Sequence, residues 1–370
     1  MRLLVTGGAG FIGSFLTDAL IMHGHDVCIL DNLEEQVHHG KKPPYLNREA
    51  EFVHGDIRDI AAVKHALDGA DAVIHCASAV GVGQSMYEIK RYTDVNVGGT
   101  ANLLQAIIDR PEKIRKILIP TSMTSYGEGV YLCPVHGAVR PGLRPLKQLE
   151  AKDWHLHCPL CAAPVEPVAT DESSLRESAT VYSLTKNMQE DMVMTIASTY
   201  SIPATALRLF NVYGPRQSLS NPYTGVSAIF LSRLKNNEQP VIYEDGLQSR
   251  DFVSVHDVVD AFLLALENDA ANGQVFNVGS GMPTPIVEIA RRLAALTGST
   301  IEPRMTGEFR KNDVRHCFAD TTKIRTMLGW SPRVSFDEGM KELIEWGEAE
   351  HATDGFAEAQ ALLKEHGLQS

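Results

Sequence analysis

Residues 2–13 read "RLLVTGGAGFIG", and this short stretch decides the fold. An apolar run ends in glycine, and the apolar residues of "FIGSFLTDALIMHGH" (residues 11–25) then recur with helical spacing. The turn between them holds Gly7, Gly10 and Gly13 in a G-x-x-G-x-x-G pattern. Glycines at a strand-to-helix turn permit a tight turn, the approach of a pyrophosphate and close packing of the helix on the strand. The stretch therefore predicts a dinucleotide-binding βαβ unit rather than a loop with chance glycines.

Further apolar segments repeat this pattern along the N-terminal half. They are "DVCILD" (26–31), "AEFVHGD" (50–56), "DAVIHCAS" (71–78) and "KILIPTS" (116–122), with helix-like stretches at 60–68 and 88–109 between them. Alternation of strand and helix predicts an α/β fold with a Rossmann doubly wound parallel sheet.

The domain organisation follows from where the alternation stops. Residues 222–345 mix strands and helices without it, which predicts a smaller α/β substrate-binding lobe. We expect residues 1–210 to form the Rossmann domain, with an insertion at 127–170. Residues 211–345 then form the lobe, with some chain exchange between the two. Residues 346–370 predict a helical tail to which the sequence assigns no function.

The second strand ends in a carboxylate that favours NAD over NADP. Asp31 stands 18 residues after Gly13, where a carboxylate accepts hydrogen bonds from a ribose and repels a 2′-phosphate. A turn cap formed by Asp31 and Asn32 is the alternative interpretation. Asp56, at the end of the third strand, is expected to meet the adenine edge.

Composition and charge exclude several classes of protein. The formal net charge of −12 argues against a nucleic-acid partner, because such proteins present a basic face. An anionic ligand must therefore be held by a few local Arg or Lys side chains or by helix N-termini. No apolar run reaches the length of a membrane span, and glycines interrupt the N-terminus too early for a signal peptide. We expect a cytoplasmic protein with no membrane partner.

A catalytic pair is visible in "VYSLTKNMQEDMVMTIA", which contains Tyr182-x-x-x-Lys186 on a helical pattern. Four residues of separation put both side chains on one helix face. A tyrosine with the ordinary pKa of about 10 is a poor base at neutral pH. A neighbouring ammonium, together with the positive nicotinamide ring, would favour the phenolate and lower that pKa. The strand "KILIPTS" carries Ser122 to the same edge of the sheet.

At this point the chain resembles the extended short-chain dehydrogenase/reductases, in the NAD-dependent sugar epimerase/dehydratase family, over residues 1–345. The motifs that carry the resemblance are "TGGAGFIG", "LDNL", "GDIRD", "DVNVGGTANLL", "TSMTSYG", "YSLTK", "LRLFNVYGPRQ", "RDFVSVHDV" and "FNVGSG". The resemblance implies an enzyme with NAD as cofactor, a nucleotide-diphosphate sugar as substrate, and Ser122, Tyr182 and Lys186 as the catalytic residues. It also suggests a homodimer formed by the long helices near 88–109 and 179–200, although their apolar faces could equally be internal core.

The resemblance also predicts the residues that contact each ligand. The expected NAD-contacting residues are Gly7, Gly10, Phe11, Ile12, Gly13, Asp31, Asn32, Asp56, Ile57, Ala77, Asn96, Tyr182, Lys186 and Phe210. The expected substrate-contacting residues are Ser122, Asn211, Arg216, Arg250 and Arg310, with Arg216 the weaker of the three arginines. Arginine presents a bidentate fork suited to a diphosphate, and an ordinary surface ion pair is the alternative for each.

The reaction is inferred from an absence in the motif after Ser122. Sugar 4,6-dehydratases of this family usually carry an acidic pair there, whereas this chain has Met123 and Thr124. The resemblance therefore favours 4-epimerisation through a 4-keto intermediate. Within the family the chain most resembles the dTDP-L-rhamnose 4-epimerases, which yield dTDP-6-deoxy-L-talose. UDP-hexose or UDP-hexuronate 4-epimerases, a nucleotide-sugar dehydratase or reductase, and a non-catalytic NAD-binding scaffold are the alternatives.

Two cysteine motifs in the insertion predict a metal site. "CPVH" (133–136) and "CPLC" (158–161) each present two ligands, separated by 21 residues. Cys133, His136, Cys158 and Cys161 would form a closed Cys₃His set for one structural zinc. His155 and His157 are rival nitrogen ligands, and a redox pair or a loop with incidental cysteines are the alternatives. Because this segment shows little apolar periodicity, we expect the metal to order a zinc-knuckle insertion beside the sugar pocket, with no open coordination site and no role in hydride transfer.

Overall fold

The computed structural model describes residues 1–110, 114–223, 225–350 and 352–370. The strands are β1 (Arg2–Thr6), β2 (Asp26–Asp31), β3 (Glu51–His54), β4 (Ala72–His75), β5 (Lys116–Ser122), β6 (Val130–Cys133), β7 (Gly137–Val139), β8 (Glu166–Val168), β9 (Ala204–Leu209), β10 (Asn211–Tyr213), β11 (Val241–Ile242), β12 (Ser249–Ser254), β13 (Gln274–Val278), β14 (Pro283–Pro285), β15 (Arg304–Met305) and β16 (His316–Cys317). The helices are α1 (Phe11–Met22), α2 (Glu35–His38), α3 (Ile60–Ala66), α4 (Ile89–Tyr92), α5 (Gly99–Ile108), α6 (Leu146–Glu150), α7 (Val181–Thr199), α8 (Val226–Lys235), α9 (Val255–Glu267), α10 (Ile286–Leu296), α11 (Thr322–Leu328), α12 (Phe336–Ala349) and α13 (Phe356–Glu365).

The centre of the fold is a seven-stranded sheet in the order β3-β2-β1-β4-β5-β9-β13. Every neighbouring pair in it is parallel. The predicted Rossmann sheet is therefore confirmed. The segments "DVCILD" and "KILIPTS" coincide with β2 and β5, and every residue of β5 is buried. Strands covered by helices on both faces are buried throughout, so their apolar runs mark their bounds well.

Helices cover both faces of this sheet with separate apolar cores. One core includes Leu16 of α1, Phe262 of α9 and Ile324 of α11. The other includes Val63 of α3 and Val193 of α7. Because α9 and β13 follow residue 210, the later part of the chain returns to complete the Rossmann sheet.

The two long predicted helices are present. The prediction at 179–200 corresponds to α7, which begins at a capping box between Thr180 and Ser183. The prediction at 88–109 corresponds to α4, a π-helical turn (Thr93–Gly98) and α5 in succession. The wide π turn contains the buried Asn96, and such turns are frequent at functional sites.

The second lobe packs α8, α10 and α12 around an apolar core of its own. Leu231, Leu293 and Leu343 are buried there, one from each helix. Beside them β10, β12 and β14 form a small sheet, which β16 joins through β12. Over the described residues, no helix combines the length and apolarity needed to cross a membrane.

The insertion contains regular structure that its sequence pattern did not reveal. Strands β7, β6 and β8 form an antiparallel sheet in that order. Its side chains enclose a small buried cluster of Tyr131, Cys133, Val139, Leu156, Cys158 and Val165. Strands of three or four residues are too short to show a convincing alternation, and two of the core side chains are cysteines.

Candidate active site

The glycine turn after β1 is closed to any larger residue. Gly7 has a φ of +69°, and a Cβ there would lie 2.7 Å from the backbone nitrogen of Ala77. A Cβ on Gly13 would lie 2.2 Å from the carbonyl oxygen of Gly7. Gly10 is the N-cap of α1, and no side chain caps that end. The backbone N–H groups at this helix end can therefore bind an anion.

Asp31 anchors the glycine turn and also lines the cleft. Its carboxylate accepts hydrogen bonds from the backbone N–H of Ala9 (3.0 Å) and of Leu33 (2.8 Å). These bonds fix the glycine turn against the end of β2, so the capping interpretation describes part of its role. Asp31 also lines the cleft above the turn.

Asp56 lines the same cleft at the outer edge of the sheet. Its carboxylate accepts hydrogen bonds from the Arg58 guanidinium and from Asn32 Nδ2 at 3.0 Å. The bond from Arg58 lowers the pKa of Asp56 to about 2, so this carboxylate is ionised at neutral pH.

The cleft runs along the carboxyl edge of the sheet and has a volume of about 460 Å³. Most predicted site residues line it: Gly7, Gly10, Phe11, Ile12, Gly13, Asp31, Asn32, Asp56, Ile57, Ala77, Ser122, Tyr182, Lys186, Phe210, Asn211 and Arg216. Asn96 instead lies fully buried behind its wall. Its amide donates to the Ala79 carbonyl (3.1 Å) and to Thr185 Oγ1 (2.9 Å). Asn96 therefore ties the loop after β4 to α7.

The three predicted catalytic residues meet at one point of this cleft. Ser122 is the last residue of β5, Tyr182 lies in the first turn of α7, and both line the cleft. Burial raises the pKa of Tyr182 to about 12, and the neighbouring Ser122 hydroxyl acts in the opposite direction. Lys186 lies one turn later, where burial lowers its pKa to about 8. With a pKa of about 12, Tyr182 is a protonated phenol at neutral pH.

A buried chain of hydrogen bonds behind Lys186 was not predicted. Lys186 Nζ donates to Gln189 Oε1 (2.7 Å), and Gln189 Nε2 donates to Thr100 Oγ1 (2.9 Å). His75 connects Thr100 (2.9 Å) to Thr6 (2.7 Å). Burial lowers the pKa of His75 to about 3, so its ring is neutral. Gln189 could have been found from its i+3 position on α7, whereas His75 and Thr100 meet only through tertiary packing.

The loop before α4 supplies a second contact that the sequence did not reveal. Ser85 Oγ accepts a hydrogen bond from the backbone N–H of Tyr182 at 3.0 Å. The ring of Tyr92 packs edge-on against the Tyr182 ring, with centroids 6.4 Å apart. Both contacts fix the first turn of α7 and hence the phenol.

The predicted arginines fall into two places. Arg216 lines the cleft, where its guanidinium pairs with Asp18 (2.7 Å) and lies 4.2 Å from the Phe15 ring centroid. Arg250 and Arg310 both pair with the Asp313 carboxylate, at 2.9 and 2.7 Å. Neither Arg250 nor Arg310 is among the described residues that line the cleft.

Arg250 is more strongly held by its own lobe than the sequence suggested. It donates to the carbonyl oxygens of Ser249 (2.8 Å) and Val314 (2.8 Å) as well as to Asp313. The Arg310 side chain is more open, with 43% of it exposed. The role of both residues in diphosphate binding stays a prediction.

The four predicted metal ligands form one cluster at the tip of the insertion. The ligand atoms of Cys133, His136, Cys158 and Cys161 all lie within 4.8 Å of one another. The sulfurs of Cys133 and Cys161 are 3.7 Å apart, and Cys158 Sγ is 3.5 Å from His136 Nδ1. The rival His157 instead pairs with Asp153 at 2.8 Å.

The knuckle backbone favours a thiolate at Cys133. Burial raises the pKa of this thiol, but hydrogen bonds from the backbone N–H groups of Val135 and His136 lower it, and the net pKa is about 6. The first of these bonds spans 3.4 Å from nitrogen to sulfur. A thiolate held in this way has the chemistry of a metal ligand.

Comparison with known proteins defines the family. Residues 3–141 match the family described as "NAD dependent epimerase/dehydratase family", and residues 164–343 match "GDP-mannose 4,6 dehydratase". The segment left between the two matches lies within the insertion. The fold is that of an extended short-chain dehydrogenase/reductase. The chain belongs to the NAD-dependent epimerase/dehydratase family.

Individual relatives span nearly the whole chain. A dTDP-L-rhamnose 4-epimerase of Burkholderia thailandensis is 38% identical, over 93% of this chain and 94% of the relative. The crystal structure of a UDP-glucose 4-epimerase from Thermotoga maritima, with UDP-glucose, is 32% identical, with a TM-score of 0.78, 94% of this chain covered and 99% of that chain. A Thermus thermophilus UDP-glucose 4-epimerase in complex with NAD is 26% identical, with a TM-score of 0.76, 95% of this chain covered and 100% of that chain.

Proposed function

We propose that the chain interconverts dTDP-L-rhamnose and dTDP-6-deoxy-L-talose. Its enzyme class is NAD-dependent nucleotide-sugar 4-epimerase, the class of the relatives that span nearly the whole chain. The proposal of the particular sugar is supported by the relative with 38% identity, which is a dTDP-L-rhamnose 4-epimerase.

The observation that carries the reaction type is the composition of the site after Ser122. Thr124 donates its hydroxyl to Ser122 Oγ at 2.9 Å. Met123 is buried in an apolar cluster with Tyr126 and Phe210. Neither residue can act as the acid or base that water elimination needs. The site therefore favours epimerisation over 4,6-dehydration, and the intact catalytic trio argues against a non-catalytic scaffold.

NAD fits the described residues. The uncapped N-terminus of α1 suits a pyrophosphate, and the anchored carboxylate of Asp31 suits a ribose without a 2′-phosphate. Lys186 would hold the nicotinamide ribose. The buried Oδ1 of Asn211 has no hydrogen-bond partner among the described residues and lines the cleft, so it is free to accept one from a ligand.

In the proposed mechanism Tyr182 takes the proton from the sugar 4-hydroxyl, while Ser122 hydrogen-bonds the same oxygen and orients it. NAD, when bound, supplies the site that accepts a hydride from C4 and returns it. The Lys186 ammonium favours the Tyr182 phenolate, which has to overcome the effect of burial on the tyrosine pKa. After the 4-keto sugar has turned, its C4 would receive the hydride on the other face while Tyr182 returns the proton to the same oxygen, so that NAD would not be consumed.

Product analysis tests this proposal. Purified protein, with NAD and no reductant, is incubated separately with dTDP-L-rhamnose, UDP-galactose and UDP-glucuronate, and products are identified by NMR. We expect 4-epimerisation, fastest with dTDP-L-rhamnose. Faster turnover of a UDP-sugar would assign the alternative substrate class, and a 4-keto-6-deoxy product would overturn the reaction type.

We also propose that Cys133, His136, Cys158 and Cys161 bind one structural zinc. Zinc–sulfur bonds of about 2.3 Å in a tetrahedron place two sulfurs about 3.8 Å apart and a sulfur and a nitrogen about 3.5 Å apart. The corresponding separations here are 3.7 and 3.5 Å. Four protein ligands complete the tetrahedron, so this zinc has no open position for substrate.

Metal analysis separates a zinc site from a cluster of free thiols. We expect about one zinc per chain, lost on Cys158→Ser with Cys161→Ser and retained in the control His157→Ala, because His157 pairs with Asp153. NAD binding should survive in both variants. Zinc-free wild-type protein whose insertion is protected from hydrogen exchange would overturn the proposal.

A homodimer is also proposed, through the outer face of α7. Leu184 and Met188, one turn apart on that helix, are 52% and 47% exposed, and exposed Ile89 lies on the neighbouring α4. Light scattering should give twice the chain mass, and Leu184→Glu with Met188→Glu should give a monomer. A wild-type monomer at micromolar concentration would contradict this.

A further inference from the structure

Residues 366–370 pair with the segment that carries Arg310. The backbone N–H of Lys311 donates to the Leu368 carbonyl at 2.9 Å, and that of Ser370 donates to the Phe309 carbonyl at 3.1 Å. Arg310 and Gln369 face each other as an isolated antiparallel bridge. The backbone of Arg310 is therefore fixed by residues 59 positions further along the chain.

Side chains reinforce this pairing on the face that holds the Arg310 guanidinium. Gln369 is only 6% exposed, and its carboxamide accepts from the Tyr243 hydroxyl (3.1 Å) and donates to Glu308 (2.8 Å). The Arg310 guanidinium lies over the Tyr243 ring, 5.0 Å from its centroid. Gln369 thus fixes the aromatic surface on which the guanidinium rests.

The other end of this segment packs against residues 83–87, in the loop before α4. The His366 ring stacks on Tyr87 with centroids 4.7 Å apart, and a Cβ on Gly83 would lie 3.0 Å from Leu363 Cδ2. Between those two contacts lies Ser85, which holds the backbone of Tyr182. Residues 356–370 therefore connect the loop beside the catalytic helix to the segment that carries Arg310.

We infer that Gln369 is a positioning residue that orients Arg310 toward the diphosphate of the nucleotide sugar. This inference rests on the proposed function and on the predicted role of Arg310 in binding that diphosphate. Ordering a long arginine side chain when a ligand binds costs affinity, and an arginine already held in place avoids that cost. The contribution of Gln369 is to substrate affinity, because it touches neither Ser122 nor Tyr182.

Binding and kinetics of four variants in the full chain test this inference. They are Arg310→Ala, Gln369→Leu, the double variant, and the control Glu365→Gln, whose side chain is exposed in the same segment. Calorimetry with dTDP and with thymidine measures affinity with and without the diphosphate. For Gln369→Leu we expect the Kd for dTDP and the KM to rise about fivefold, from the loss of one hydrogen-bonded support. The kcat and the Kd for thymidine should not change.

The double variant distinguishes positioning from general stability. If Gln369 acts through Arg310, Gln369→Leu has no further effect on dTDP binding once Arg310 is alanine. If dTDP binding is weaker in Arg310→Ala but normal in Gln369→Leu, the inference about Gln369 is overturned while the diphosphate role of Arg310 stands. Normal dTDP binding in Arg310→Ala would overturn the diphosphate role and the inference with it. An equal loss of thymidine affinity in Gln369→Leu would show a structural role and also overturn it.

Discussion

The ammonium of Lys186 and the carboxamide oxygen of Gln189 are 2.7 Å apart, one turn from each other on α7. Both side chains are buried, and this hydrogen bond holds the ammonium in place. A group that accepts from an ammonium favours its charged form. Gln189 therefore opposes the effect of burial, which lowers the pKa of Lys186 to about 8.

Replacing Gln189 by leucine should move the pH dependence of catalysis. Without the acceptor the pKa of Lys186 falls further, so the alkaline limb of the kcat profile should shift to lower pH. At neutral pH we expect kcat to drop about tenfold, as for loss of one hydrogen bond to a charged group. Thr195→Ala, at an exposed position of the same helix, is the control. An unshifted pH profile would show that Gln189 does not influence the pKa of Lys186.

Tyr182→Phe should abolish most of the catalysis while preserving the fold. The ring contacts with Tyr92 and the backbone bond to Ser85 do not involve the hydroxyl, so the helix end keeps its supports. We expect epimerisation to fall at least about 100-fold, the usual effect of losing a general base. Circular dichroism and the NAD content of the purified variant should match wild type. Near-normal turnover would show that another group takes the proton.

His75 should make the protein less stable in acid. Its folded pKa, about 3, lies below its unfolded value near 6.5, so the unfolded state binds the extra proton first. The stabilisation is complete above pH 6.5 and is lost as the pH falls toward 3, at up to about 1.4 kcal/mol per pH unit. Urea unfolding at pH 5 and pH 7 should show a smaller difference for His75→Gln than for wild type. Equal differences would mean that His75 is charged in the fold.

Arg144→Met should destabilise the attachment of the insertion to the second lobe. Arg144 donates to both carboxylate oxygens of Glu244 at 2.8 Å, and both side chains are buried. Leaving a buried charge unpaired typically costs about 3 to 5 kcal/mol of unfolding free energy, and we expect a smaller loss here because Glu244 keeps a second partner, Arg315, at 2.9 Å. Arg144→Met with Glu244→Leu should recover part of that loss. A single variant as stable as wild type would contradict the prediction.

Sequence patterns predicted those features that depend on neighbours in the chain. The glycine turn, the buried strands and the Tyr182–Lys186 pair each lie within a few residues, where spacing determines geometry. The ligand pairs of the insertion also followed from spacing, since each knuckle is formed locally. In contrast, the pairing of Arg310 with Gln369 and the contact of His75 with Thr100 depend on how distant elements pack. The hydrogen bonds from Arg250 to backbone carbonyl oxygens could not be predicted, for the same reason.

The insertion leaves and rejoins the Rossmann domain at adjacent points. Val130 at the start of β6 and Val168 at the end of β8 are register partners in one antiparallel pair. Neighbouring strands lie about 5 Å apart, so a short turn could close the host chain without this module. An insertion whose two ends lie so close together can be gained or lost in evolution while the parallel sheet and its catalytic edge keep their geometry. Enzymes with the same chemistry could therefore exist with and without it.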